Sequence, residues 1–262
     1  MKILVAIKQV PERDAPIVVA ADGRWIEESG LAYTINEPDA YALEEALRLK
    51  EATGAGGGTV AEVIVLSAGP ERVASTLREA LAKGADRAIH IVADDVGARD
   101  TLGVARLLAE TVRGEAPDLV LTGLQSDDLG LGQTGVVLAE LLGMAYATII
   151  LQVERTDAGL RVKRELEDGW FQHVELPLPA LLTIQSGGNR LRYATLMGIK
   201  RARAKELRRV DAGAGAGAGA AAIALERVYL PDRESRAEML TGSAADVAAQ
   251  IVEKLRFEVR VL

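Results

Sequence analysis

Chemistry is most concentrated in one stretch, Gly123-Leu124-Gln125-Ser126-Asp127-Asp128-Leu129-Gly130-Leu131-Gly132-Gln133-Thr134-Gly135. It holds four glycines, the hydroxyls of Ser126 and Thr134, two glutamine amides and two carboxylates, and it runs straight into an apolar helical pattern. Free backbone N–H groups and the positive end of a helix dipole make such a loop an anion site. Gln133 and Thr134 suit phosphate oxygens. Asp127 and Asp128 would repel phosphate and suit ribose hydroxyls or N–H groups of the loop itself. The alternative is a solvated turn capped by Thr134. The spacing matches neither the Walker pattern nor G-x-G-x-x-G, which disfavours a P-loop NTPase or a typical NAD enzyme.

Two other segments sit where a ligand could approach, Ala6 to Val10 and Ser67-Ala68-Gly69-Pro70, the latter with side chains small enough to expose backbone. Gly54 to Gly58 imitates a phosphate loop but lies between a helix and a strand, so it reads as a connector. His90 reads as a packed strand histidine. Arg164, Glu165, Glu167 and Asp168 form a charged hairpin, and Lys200 to Lys205 a solvated basic face. No nucleophile–base pair emerges. The chain reads as a binder.

Composition narrows the classes. With no cysteine, thiolate chemistry and disulfides are excluded, and two distant histidines, His90 and His173, argue against a metal site. A net charge of −7 argues against nucleic acid held through its phosphates. The N-terminal apolar run is too short for a signal peptide and no stretch is long enough to span a bilayer, so the expected location is cytoplasmic, without membrane insertion.

The elements that must position the loop alternate. Ile3 to Ile7, Val63 to Leu66, Arg87 to Val92 and Leu119 to Thr122 are short runs of buried-strand type. Helices are predicted over Asp39 to Ala52 with Gly54 as its cap, over Val73 to Leu81 stopping at Gly84, from the N-cap Asp100 through Val112, and over Thr134 to Leu142 ended by Gly143. This order defines an α/β fold with a doubly wound parallel sheet. Beyond Ala145 the strands Ile149 to Glu154, Leu160 to Leu166 and Phe171 to Leu176 predict an antiparallel extension, with one more strand at Pro179 to Ile184. A polar, basic stretch runs to Arg209. Ala212 to Ala222 reads as a flexible linker, followed by a helix from Ala244 to Leu255 capped by Ser243. The division is therefore a nucleotide-binding domain over 1–210 and a linker with a C-terminal arm over 211–262.

Several blocks resemble electron transfer flavoprotein β subunits: Lys2 to Pro11, Asn36-Glu37-Pro38-Asp39 running on to Glu51, Leu77 to Ala88, Gln133-Thr134-Gly135, Arg164-Glu165 with Asp168-Gly169, and Arg192-Tyr193-Ala194-Thr195-Leu196. The resemblance spans residues 1 to about 205. It implies an adenine nucleotide α-hydrolase-like (Rossmann-like) fold and a heterodimer whose α subunit carries most of the FAD site and covers the arm. It implies a structural AMP in this chain, contacted by Ala6, Asn36, Glu37, Pro38, Asp39, Ala68 and the loop from Leu124 to Gly135. Electron-bifurcating relatives hold a second FAD there. Electrons would pass from flavin dehydrogenases to a quinone oxidoreductase. Leu196, with Tyr193, matches the recognition loop (about 185–205) that docks on dehydrogenases, and Glu165 matches an acid pairing with the α subunit. Three positions depart from the family: Asn189-Arg190-Leu191-Arg192 replaces Asn-Glu-Pro-Arg, Asp127-Asp128 lacks a third acid, and Trp170 replaces a glycine. The rival reading is a stand-alone adenine-nucleotide-binding stress or signalling protein.

Overall fold

The computed structural model describes residues 1–55, 60–212, 221–231 and 237–261. Two compact units divide it, Met1–Arg227 and Val228–Leu262. In the first, β1 (Lys2–Ala6), β2 (Gln9–Pro11) and β3 (Tyr33–Ile35) lead to α1 (Glu37–Ala55), then β4 (Glu62–Gly69), α2 (Val73–Lys83), β5 (Arg87–Val92) and α3 (Thr101–Glu115). There follow β6 (Leu119–Gly123), α4 (Thr134–Leu142), β7 (Ala145–Thr156), β8 (Gly159–Glu165), β9 (Phe171–Leu176), β10 (Ala180–Ile184), α5 (Leu196–Ala202) and β11 (Leu207–Asp211).

Among the described residues the main sheet runs β11-β5-β4-β1-β6-β10-β7-β8-β9, and β2 pairs with β3 apart from it. Every pairing from β11 to β7 is parallel, and β7–β8–β9 is antiparallel. The parallel strands are apolar on both faces because helices cover both. One cluster puts Val5, Val65 and Leu121 under Leu43, Leu47, Leu77 and Leu81 of α1 and α2. The other puts Leu4, Leu66 and Val120 under Leu108, Val112 and Leu138 of α3 and α4. This is the doubly wound sheet with the antiparallel extension.

The helix ends follow their residue types. Asp100 caps α3 by accepting from the Gly103 N–H at 2.8 Å. Gly84 and Gly143 end α2 and α4 with φ of 137° and 65°. Gly54 does not cap α1, which runs on to Ala55. The Thr53 hydroxyl organises the exit instead, donating to the Lys50 carbonyl and accepting from the Ala61 N–H. Gly56 to Gly58 of the expected connector, and most of the Ala/Gly linker, lie outside the described residues.

Three elements sit where the chain order does not place them. β10, an apolar run buried at all five residues, returns to lie between β6 and β7 in the parallel core. β7 therefore serves two partners, pairing with β10 over Ala145–Ala147 and with β8 beyond Ile150. The bulge between them holds Ile149 at φ 60°, a conformation a β-branched residue adopts only where its surroundings demand it. β11 is an edge strand inside the stretch that reads as merely basic. Its Arg208 meets Glu115 at 2.5 Å, and the same carboxylate holds Arg87 of β5 at 2.5 Å. Glu115→Ala would leave two guanidiniums facing each other over a nearly buried site. A loss of about 1–2 kcal/mol is expected, read as a shifted urea midpoint with an unchanged slope.

In the second unit Ser243 caps α6 (Ala244–Phe257) in a reciprocal box with Asp246. None of the α6 residues is buried, and Ile251, Val252 and Phe257 are exposed. Among the described residues no helix is long and apolar enough to cross a membrane.

Candidate functional site

In such a sheet ligands lie beyond the carboxyl ends of the strands, where neighbouring strands send their connections to opposite faces. Here that point is between β1 and β6, since α1 packs on one face and α4 on the other. Asp39, in the first turn of α1, closes the crevice from beneath. Its Oδ2 accepts from the Lys8 N–H at 2.8 Å just past β1, and its Oδ1 accepts from the Gly123 N–H at 2.7 Å at the end of β6. Burial pushes the Asp39 carboxyl up to about 6, against the pull of these two N–H groups, Asn36 and the Lys8 ammonium. Gly123 must lack a side chain, because a Cβ there would stand 2.7 Å from the backbone of Pro38 and Asp39.

The loop after β6 is tied back to the start of α1. Asn36 donates through Nδ2 to the Gln125 carbonyl at 2.9 Å and accepts at Oδ1 from the Asp127 N–H at 2.9 Å. Asp127 accepts from the Glu37 N–H at 3.2 Å. Asp128 accepts from the Leu129 N–H at 2.8 Å and pairs with Lys8 Nζ at 2.6 Å. Burial alone would raise the Asp128 carboxyl, but Lys8, the Ser126 hydroxyl and the Leu129 N–H outweigh it and hold the group below its ordinary value. Both aspartates thus order the loop, one of the two roles their chemistry allowed. Gly130 and Gly132 turn the chain at φ 63° each, leaving Leu129 and Leu131 exposed at the tip.

Gln133 then stands at the N-cap of α4 without using its side chain as a cap, and Thr134 opens the helix. The first N–H groups of α4 have no partner within the helix and face the loop. Gly135 lets the helix begin against the strand ends, since a Cβ there would come 2.6 Å from both Thr122 Oγ1 and Thr183 Cγ2. Ala6 ends β1 almost fully buried, and Ala68 is near the end of β4 beside the buried Ser67, whose Oγ has no hydrogen-bond partner. A helix N-terminus with an uncommitted amide side chain, glycines at each close approach and an orphaned hydroxyl suit a small anionic ligand. Gln133, Thr134 and the α4 N–H groups could hold a phosphate there.

The structure therefore brings Asn36 to Asp39 and Gly123 to Asp128 into direct contact at one crevice. Lys8, within the Ala6 to Val10 segment though not among the contacts the resemblance implies, joins them as a lone cation directly after a buried strand. Glu165 stands elsewhere, at the end of β8, where Gln185 approaches it at 3.4 Å. Tyr193 and Leu196 form a third location, 91% and 86% exposed, with Leu196 opening α5 behind its N-cap Thr195. His90 is fully buried, its Nε2 at 3.0 Å from the Gly69 carbonyl. Among the described residues no group of three His, Asp or Glu side chains is placed to hold a metal ion.

These features define a doubly wound α/β protein with a polar cradle at its switch point and a separate exposed apolar step. The electron transfer flavoprotein domain matches residues 24–215. Electron transfer flavoprotein subunit beta of Methylophilus methylotrophus is 40% identical over 97% of each chain. The human subunit beta is 37% identical over 98% of this chain and 97% of its own, and the Bradyrhizobium diazoefficiens one 35% identical over both full lengths. The chain belongs to the electron transfer flavoprotein β-subunit family, and the likeness extends through the C-terminal arm.

Proposed function

We propose that this chain is the β subunit of a heterodimeric carrier that takes electrons from flavin dehydrogenases and passes them to a quinone oxidoreductase in the cytoplasm. An α subunit holds most of the FAD, meets Glu165, and covers the exposed face of α6. FAD supplies the redox chemistry when bound; this chain supplies scaffold and docking surface. Its own crevice holds AMP, with Gln133, Thr134 and the α4 N-terminus on the phosphate, and Ala6, Ala68 and the Asn36 to Asp39 turn around the rest.

The observation that carries this reading is the loop from Gly123 to Gly135, stitched to α1 through Asn36, Asp39 and Lys8 and delivered to a bare helix N-terminus. A loop ordered by its own chain and ending in unpaired N–H groups suits a small anionic ligand held for stability. Nucleotides released by denaturing the purified heterodimer are expected to be AMP and FAD in equal amounts. Two FAD and no AMP would replace the reading with the electron-bifurcating form. A colourless, monomeric chain that binds ATP without an α partner would replace it with the stand-alone nucleotide-binding protein.

A further inference from the structure

Tyr193, Leu196, Met197 and Ile199 expose apolar side chains within seven residues of chain, at 91, 86, 58 and 44%. On a mobile segment such side chains bind weakly, because each must be ordered when the partner arrives. Here the segment is fastened on both sides. Arg192, directly before Tyr193, sends Nε and Nη2 to the two oxygens of Glu44 at 2.8 Å each, and Nη1 to Glu51 at 2.7 Å. Its backbone N–H also donates to Glu44, at 3.2 Å. Both carboxylates belong to α1, and the Glu44 side chain is only 7% exposed. Asn189 adds a bond from Nδ2 to Glu45 at 3.0 Å. A planar guanidinium gripped at two edges fixes orientation as well as position, which a lysine cannot do.

The other fastening is backbone on backbone. A Cβ at Gly198 would stand 2.3 Å from the Ala82 carbonyl oxygen, so α5 lies flush on the end of α2. Arg78 of α2 closes the far end of α5, donating to the carbonyls of Ala202 and Lys205 at 2.7 and 2.8 Å.

We propose that Arg192 is a positioning residue for electron-donor docking, with Gly198 as its counterpart: together they hold the Tyr193–Ile199 step in its binding geometry before a partner arrives. This rests on the docking reading of Leu196 given above. It also gives α1 two tasks, since the helix whose first turn holds the nucleotide loop carries the acids that hold the docking step.

The test uses the heterodimer and the purified flavin dehydrogenase that reduces it. Arg192→Met is expected to speed amide exchange over residues 193–199 about tenfold. It should raise the KM for the dehydrogenase about ten- to thirtyfold with kcat little changed, because ordering several side chains moves into the binding step. Arg192→Lys should fall between. Gly198→Ala, which leaves the Arg192–Glu44 pair in place, should raise KM similarly. Adding Arg192→Met to Leu196→Ala should weaken docking by less than the product of the two single losses. Unchanged exchange in both single variants overturns the proposal, as does faster exchange with KM unmoved while Leu196→Ala raises it. Fully multiplicative losses in the double variant also overturn it. If Leu196→Ala itself leaves KM unmoved, the docking reading falls and this proposal falls with it, whatever the exchange data show.

Discussion

Asp39→Ala is expected to lower stability by about 3 kcal/mol at pH 5 and by roughly half that at pH 7.5. Removing the carboxyl leaves the buried Gly123 N–H and the partly buried Lys8 N–H without acceptors, together at about 3 kcal/mol. Ionisation runs the other way. The folded-state pKa is raised from 3.8 to about 6, so the wild-type fold keeps its proton where the unfolded chain has lost it. Its stability therefore falls as pH rises across that window and is level above it. Alanine has no such term, so wild type and variant converge by about 1–2 kcal/mol between pH 5 and 7.5. Urea unfolding at the two pH values checks this. A loss that stays constant or grows with pH would show that Asp39 is not a carboxyl strained by burial. Asp39→Asn separates the effects, since its amide oxygen can accept from only one of the N–H groups well and carries no charge at any pH.

Leu196→Ala is expected to raise the KM for the donor dehydrogenase about thirty- to a hundredfold, with flavin content and melting temperature unchanged. An 86% exposed side chain contributes nothing to the core, and the Thr195 cap, which accepts from the Gly198 N–H at 3.0 Å, stays intact. Alanine also favours the helix. Truncating a central apolar anchor at an interface typically removes about 2 kcal/mol or more of binding. Stopped-flow reduction of the heterodimer over a range of donor concentrations separates KM from kcat. An unchanged KM would mean that the exposed step serves something other than the donor.

The sequence departures from the family take on different weights in the fold. Of the Asn-Glu-Pro-Arg pattern that the resemblance leads one to expect, this chain keeps the first and last residues, and these are the two that bond to α1. The replaced middle pair, Arg190 and Leu191, makes no hydrogen bond to those acids. The clamp thus survives the substitution. Trp170 is 72% exposed at the turn into β9, with Phe171 beside it under the Lys163 ammonium at 3.8 Å.

Much of the architecture lies in local pattern. Apolar runs at Ile3 to Ile7, Val63 to Leu66 and Leu119 to Thr122 read as strands covered on both faces, because they are too short for a helix and rich in residues that suit a buried strand. Asp100, Ser243, Gly84 and Gly143 mark helix ends through interactions spanning a few residues, and all four do so in the structure. The loop from Gly123 to Gly135 was legible because its glycines, hydroxyls and following helix are contiguous. Tertiary structure alone decided what those signals meet. β10 enters the parallel core between β6 and β7, a choice of neighbours that apolar character does not encode. β11 hides in a polar stretch because its two apolar residues, Leu207 and Val210, pack singly on opposite faces and its arginines are answered by Glu115 and Glu71, far away in sequence. Asp39 is among the expected ligand contacts, and what engages its two oxygens is a pair of backbone donors brought together only when β1 and β6 lie side by side. Arg192 finds Glu44 across 148 positions. Periodicity and capping report what a segment does to its own backbone and which face it buries; the partner of a buried charge depends on which distant elements packing makes adjacent.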